Sequence, residues 1–404
     1  MRFNFVTDEL PRPGSAGHLA YNHALITHLA ARGHRVTLFL TRPRLPVPVM
    51  RVARAGPYER VTGPRLLQAG PYLIATEPRA ALAAAARAVL PGGMLRSAQG
   101  GRCNDVVLGA FITPDEAAWI AAQIAADPPD AILIDTIFRA PLLDQPVLAG
   151  MRSVVITHDL FHRRHAALRL AGYRVDPATL GRQDEVALLA RAGAIVAIQP
   201  EEAELLRGMC PNRQVITVPM PADALPRPPG VMRNPDRLVF VGSDTLPNLD
   251  GLRWFFEAIW PGLRAARPTI KLDLVGDCGT AIGRLPVGVR RLGRLPDLAP
   301  TLHRAALAIA PLRTGSGLKV KLLDYARHGL WTVATAEARA GLARDILPPV
   351  FVADAPATFG ATILAALAQQ PEEEVALRYV SRHYAAAQIF APLTDLLEGC
   401  RIID

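Results

Sequence analysis

Of the 45 basic side chains in this sequence only three are lysine: Lys271, Lys319 and Lys321. The last two stand two residues apart, directly after the turn Thr314-Gly315-Ser316-Gly317. A glycine turn leading into a helix start can hold an anion, because free backbone N–H groups and the positive end of the helix dipole point at the same place. Gly315 and Gly317 have no Cβ to keep a ligand away from the backbone. A lysine ammonium there reaches a phosphate oxygen as a point charge. Lys319 and Lys321 would be about 200° apart around the helix axis, so one faces the ligand and the other faces elsewhere; the sequence leaves open which. Asp324, one turn further, could accept hydrogen bonds from ribose hydroxyls. It could equally be an exposed helix acid paired with Arg327 or His328 at i+3 and i+4. The spacing is not that of a P-loop.

Polar residues at strand ends are the other candidates. His158 closes SVVITHD, with Asp159 next and the basic run His162-Arg163-Arg164 after it. It reads as a ligand contact or as a structural hydrogen-bonding residue. Asp135 also ends an apolar run, with both readings open, and His18 sits at a helix start. Glu185 reads as a structural or a domain-packing acid. Glu201 and Glu202 read as first-turn acids favoured by the helix dipole.

Short apolar runs alternating with helical stretches must position these residues. Strands are predicted at 2–8, 34–41, 131–136, 153–159, 194–200 and 214–220, and helices at about 17–32 and 77–90. Continuous apolar strands separated by helices indicate a parallel sheet covered on both faces. The run MPADALPRPPGVMRNPD, 220–236, holds five prolines and suits neither a helix interior nor a central strand. The pattern then restarts, with strands at 237–243, 270–277, 307–313, 331–336 and 351–354 and a helix at about 250–266. A helical stretch closes the chain from about 372. The division expected is an N-terminal Rossmann-like domain at 1–221, a Pro-rich linker at 222–236, a C-terminal Rossmann-like domain at 237–385 and a helical segment at 386–404 that crosses back to the first domain. Open α/β sheets bind ligands at the carboxyl ends of their strands.

The formal charge of +9 is concentrated. Residues 42–102 hold ten Arg against Glu59 and Glu77. Such a cluster faces a negatively charged neighbour or is a solvated surface covered by Arg stems. Sparse aromatics and the absence of zinc-finger spacing argue against nucleic acid. The four cysteines are far apart, which suits a reducing compartment. Asp8 and Glu9 come too early for a signal peptide, and no apolar run of about 18 residues is present.

The segment APLRTGSGLKVKLLDYARHGLWTVAT resembles the donor-binding segment of retaining glycosyltransferases of family 4, which have the two-domain GT-B fold. LVFVGSDTLPNLDGLRWFFEAIWPGLRA resembles that family's first C-terminal strand and loop, and RRLGRLPDLAPTLHRAALAIAP the stretch before the donor loop. FVTDELPRPGSAGHLAYNHALITHLAARGHRVTLF resembles its N-terminal glycine loop and helix. The resemblance implies that a nucleoside-diphosphate sugar is held mainly by the C-terminal domain. Gly315, Ser316, Gly317 and Leu318 would offer N–H groups, Asp324 would hold the ribose, and Gly242, Ser243 and Asn248 would lie near the phosphates. Gly17 would meet the diphosphate from the N-terminal domain, and His158 would lie near the reacting sugar. The family's Glu-x7-Glu pattern falls here on Ser316 and Asp324. Its usual basic residue after Gly242 is missing, so Lys319, Lys321 or Arg313 would supply that charge. No Asp-x-Asp occurs, so side-chain cations and helix dipoles are expected to stabilise the leaving group without a metal.

The expectation is therefore an α/β protein of the GT-B fold, two Rossmann-like doubly wound domains facing a cleft. It would transfer a sugar from a nucleotide sugar to a sugar- or lipid-linked acceptor with retention. No cofactor, metal or nucleic acid is expected. It would be cytoplasmic, with peripheral contact to anionic membrane at its inner face through 42–102. Rival readings are a non-catalytic nucleotide-sugar-binding relative and another GT-B enzyme such as a sugar-nucleotide epimerase.

Overall fold

The structure is a computed structural model. It describes residues 1–11, 17–41, 48–51, 57–70, 72–76, 105–170, 172–314, 318–343 and 348–399. The helix expected at 77–90, most of the Arg-rich segment and the Gly315-Ser316-Gly317 turn lie outside the described residues. The chain divides into two units: Met1–Pro219 with Phe390–Asp404, and Met220–Ile389.

The first unit is built on β1 (Arg2–Thr7), β2 (Arg35–Leu40), β4 (Arg60–Thr62), β8 (Ala131–Asp135), β9 (Ser153–Thr157), β11 (Ala194–Ala197) and β12 (Gln214–Thr217). They pair in the order β12-β11-β9-β8-β1-β2-β4, and every pairing is parallel. Their apolar runs are buried residue after residue, as in all of Ala131–Asp135 and Ser153–Thr157, because a parallel sheet has no solvated face. The connecting helices are α1 (Gly17–Ala31), α2 (Pro114–Ala126), α3 (Phe161–Leu170), α4 (Arg182–Leu189) and α5 (Pro200–Met209). Local chemistry sets their starts. Thr113 and Glu116 form a reciprocal capping box on α2, satisfying two otherwise orphaned donors. Buried Glu185 accepts from the backbone N–H groups of Phe161 and His162 at 3.0 and 2.9 Å, which caps α3; its structural role follows from those bonds.

Two small sheets lie outside the predicted pattern. One is the antiparallel set β3 (Val49–Arg51), β6 (Tyr72–Ala75) and β5 (Leu66–Ala69); the other pairs β7 (Asp105–Val107) with β10 (Arg174–Asp176).

The second unit holds β13 (Asn234–Val241), β14 (Lys271–Val275), β15 (Val289–Gly293), β16 (Ala305–Ala310), β17 (Thr332–Ala334) and β18 (Val350–Val352). They pair in the order β15-β14-β13-β16-β17-β18, all parallel. This is the doubly wound order 3-2-1-4-5-6. The predicted helix at 250–266 is two helices, α6 (Leu246–Ala258) and α7 (Trp260–Ala266). The others are α8 (Cys278–Ala281), α9 (Ala299–Arg304), α10 (Val320–Arg327), α11 (Ala336–Arg339), α12 (Pro356–Gln369), α13 (Glu373–His383) and α14 (Ala386–Ile389). The last helix, α15 (Ala391–Glu398), belongs to the first unit.

The Pro-rich stretch runs along the second unit. Ala222 N–H donates to Tyr384 O at 2.7 Å, Leu225 N–H donates to Arg327 O at 2.6 Å, and Arg227 pairs with Glu373 at 3.0 Å. Strand β13 begins within it, at Asn234. Pro235 is tolerated there because the register against β16 breaks between Asn234 and Leu238, and a proline suits an irregular strand start.

Candidate functional sites of the two units

In the second unit the strand order reverses between β13 and β16. A doubly wound sheet opens its ligand crevice at such a switch point, beyond the carboxyl ends of the strands. Gly242 follows β13, and its N–H donates to Val275 O at 2.9 Å. A Cβ on Gly242 would lie 2.7 Å from the Phe240 ring and 3.0 Å from the Asn248 amide, so glycine lets this loop close. Asn248, in the first turn of α6, is 7 % exposed. Its Nδ2 donates to Ser243 O at 2.9 Å and to Thr245 Oγ1 at 3.0 Å. Its Oδ1 accepts from Lys321 Nζ at 2.6 Å. Asn248 thus ties its own loop to a lysine of α10, and all three of its bonds are internal.

Lys321 Nζ also lies 4.1 Å from the centre of the Phe240 ring. Burial pushes its pKa down to about 7; Cys278 opposes that and Lys319 adds to it. Lys319 is not in the first helical turn as expected. Its extended ψ of 91° makes it the N-cap, and α10 starts at Val320. Its side chain is 10 % exposed, with Nζ 3.5 Å from Glu337. The two lysines face different partners, one from the first helical turn and one from the extended cap before it. Tyr325 Oη accepts from Val241 N–H at 2.7 Å and fastens α10 to the end of β13.

Asp324 has 29 % of its side chain exposed, and its Oδ1 lies 3.9 Å from the Arg327 guanidinium. That is the i+3 pairing allowed by the sequence. His328 Nδ1 meets the Asp324 carbonyl, not the carboxylate, at 2.7 Å. Burial raises the pKa of the carboxyl to about 6 and Arg327 opposes this. Arg313 pairs with Asp250 at 2.7 Å and lies 6.0 Å from the Trp254 ring, so its guanidinium is held on the flank of α6. Leu318 packs partly buried against the core, where the glycine at 341, at φ +83°, admits its backbone. Gly315, Ser316 and Gly317 lie outside the described residues.

The first unit has its own switch point, between β1 and β8. Thr7 Oγ1 donates to Asp135 Oδ2 at 2.6 Å. His158 Nε2 and Asp135 Oδ1 are 2.9 Å apart, with the two side chains 8 % and 1 % exposed. Burial works against ionising Asp135, but the hydrogen bond and charge of His158, with Arg139 and His18, hold its pKa well below the ordinary carboxylate range. His158 Nδ1 is buried and has no hydrogen-bond partner among the described residues. The centres of the Tyr21 and His18 rings lie 5.3 and 6.0 Å from the centre of the His158 ring. Burial lowers the pKa of His18, opposed by Asp135. Thr136 has φ +63°, a region costly for a β-branched residue. Its Oγ1 accepts from Arg139 at 2.9 Å, and Arg139 pairs with Asp8. Gly17 is the exposed first residue of α1.

Together with Glu201, Glu202 stands in the first turn of α5, as expected from the sequence. It is 8 % exposed, and burial followed by the nearby Asp159 pushes its pKa up to about 8. Sequence reasoning missed the partners Thr7, Arg139, Phe240 and Tyr325, and it left Asp135 undecided. The available signal was Thr-Asp, Asp-Thr and Thr-His directly after buried apolar runs. Among the described residues no group of three or more His, Cys, Asp or Glu side chains is arranged to hold a metal ion.

Residues 235–369 match the family profile described as Glycosyl transferases group 1. No curated protein sequence matches the chain. The fold is similar to that of sucrose-phosphate synthase from Thermosynechococcus elongatus (16 % identity, 98 % of each chain covered, TM-score 0.63). It is also similar to Anabaena HepE in complex with UDP-glucose (13 % identity, 99 % of this chain and 100 % of that one, TM-score 0.60). A glycosyltransferase from Rickettsia africae gives 9 % identity, 98 % of each chain and a TM-score of 0.60. At these identities the structures establish the GT-B fold, two Rossmann-like units. Residues 235–369 add a group 1 glycosyltransferase domain, and it is that domain which makes the chain a glycosyltransferase.

Proposed function

We propose that this enzyme transfers a sugar from a nucleoside-diphosphate sugar to an acceptor hydroxyl, with retention and without a metal. The observation that carries the reading is the switch point of the second unit, within the family-matched residues. There the first turns of α6 and α10 meet through the 2.6 Å Asn248–Lys321 bond. Helix N-termini and a lysine stabilise a leaving diphosphate electrostatically. Lys321 is assigned to the diphosphate, Asn248 to holding Lys321, and Asp324 to the ribose. Gly242, Ser243 and the 315–318 turn would supply backbone contacts, and Lys319 and Arg313 the surrounding positive potential. In the first unit, Gly17 is assigned to the diphosphate and His158 to the transferred sugar. Retention rests on the resemblance to family 4.

The acceptor is proposed to be a sugar- or lipid-linked precursor in polysaccharide or glycoconjugate assembly, reached from a cytoplasmic membrane face. In support, Val49, Leu67 and Tyr72 are exposed. Val49, Ile74 and Leu67 share one row of the β3-β6-β5 sheet, and Arg51 pairs with Tyr72 two positions along on the same face. No helix of the described residues is long and apolar enough to cross a membrane.

Thermal shift with UDP, ADP, GDP and CDP and their glucose or galactose conjugates tests the reading. One nucleoside diphosphate at about 100 times its Kd is expected to add ~2.7 kcal/mol of stability, and Asp324→Ala to weaken that shift. The matching nucleotide sugar with an acceptor panel should then release nucleoside diphosphate. No shift with any nucleotide would overturn the proposal.

A further inference from the structure

The ammonium of Lys321 has a neutral partner where a buried cation would ordinarily have a carboxylate. Its hydrogen bond goes to an amide oxygen, Asn248 Oδ1, and its other neighbour is the Phe240 ring. The charged and titratable groups around it are matched elsewhere or add positive charge. On its own helix, Lys319 is a second cation, and the Asp324 carboxylate turns to Arg327. On α6, Asp250 pairs with Arg313. On α8, the Cys278 thiol is buried and is kept protonated by that burial; Asp277, just before it, pairs with Arg294. On α11, Glu337 faces Lys319. The N-termini of α6 and α10 add their positive dipole ends. A cation so placed is uncompensated until an anion arrives.

We propose that a nucleoside diphosphate binding to the second unit takes up a proton, received by the Lys321 amine, which Asn248 Oδ1 orients toward the ligand. This rests on the diphosphate reading of that site. Its balance is simple: the amine lone pair accepts one proton from solvent, and the ammonium then offers hydrogens to the diphosphate and to Asn248. In the free protein the amine loses its proton near neutral pH. Beside a diphosphate its pKa rises toward the ordinary lysine value of 10.5. Between those values binding must acquire a proton, so affinity falls by up to about tenfold per pH unit as pH rises.

Calorimetric titration of the full chain with UDP, ADP, GDP and inorganic pyrophosphate tests this. The titration is run at pH 8.0 in two buffers of different ionisation enthalpy, and Kd is followed from pH 7.0 to 9.5. Uptake approaching one proton and a falling affinity are expected for the wild type. Lys321→Arg, always charged, and Asn248→Asp, which supplies a carboxylate to the free lysine, should bind without uptake and with flat profiles. Wild-type binding with buffer-independent heat and a flat profile overturns the inference and leaves the diphosphate reading intact. Absence of binding by all four ligands overturns both. If one replacement fails to fold, the other and the wild-type profile still decide.

Discussion

At the residue scale, Asp135 and His158 form the polar pair of the first unit. In the neutral form of the ring, with Asp135 accepting from Nε2–H, the lone pair of His158 falls on Nδ1, the atom left without a partner among the described residues. A buried nitrogen in that state calls for a hydroxyl donor. His158→Ala is expected to lower kcat/KM by about 10²- to 10³-fold, measured as nucleotide release. Asp135→Asn removes the acceptor that selects this tautomer. It should lower kcat with little change in the Kd of the nucleoside diphosphate, and a large Kd change would refute a role confined to the first unit. His158 was legible because it ends an apolar run. The weight of Asp135 was not, because its two partners come from positions 128 and 23 residues away, and one-dimensional patterning does not encode such contacts.

At the scale of elements, the lysine spacing predicted a divergence around one helix; the two lysines do meet different partners, but Lys319 is the cap of the helix and not part of its first turn. Which one meets a deep partner depended on packing, since Phe240 and Asn248 come from β13 and α6. The same sheet end relies on close backbone approach. Gly276 has φ +93°, and a Cβ there would lie 2.3 Å from the Gly242 carbonyl oxygen, a backbone atom. Gly276→Ala is expected to cost about 1–3 kcal/mol and to lower the melting temperature of the second unit by several degrees. It should also weaken nucleotide binding, because Gly242 carries the loop that holds Asn248. A melting point unchanged within a degree would show that the loop yields freely. The small antiparallel sheet escaped sequence reading because its strands are only three or four residues long, too short to show a period.

At the scale of the whole molecule, parallel-strand patterning exposed two doubly wound sheets, because buried strands read as unbroken apolar runs. Charge asymmetry adds a prediction. Liposomes containing about 30 % anionic lipid are expected to carry the protein in a flotation assay at low salt and to release it as salt screens the Arg side chains. A double change, Leu67→Ser with Tyr72→Ser, should weaken flotation without altering nucleotide binding. Flotation that is indifferent to lipid charge would remove the membrane proposal.

The final helix finishes the first unit, not the second. Glu398 meets both Arg32 and His34, Arg152 donates to Leu397 O at 2.7 Å, and the Phe390 ring packs against Tyr21 and His28. Deleting the chain from residue 390 is thus a lesion of the amino-terminal unit. It also sets a clock on biogenesis. Met220–Ile389, 170 residues, must leave the ribosome before those contacts can form, so at about 5–20 residues per second the first unit waits roughly 10–30 s with its helix-binding face open. During that interval the surface around Tyr21, His28 and Arg32 lacks the cover that the last helix later gives it.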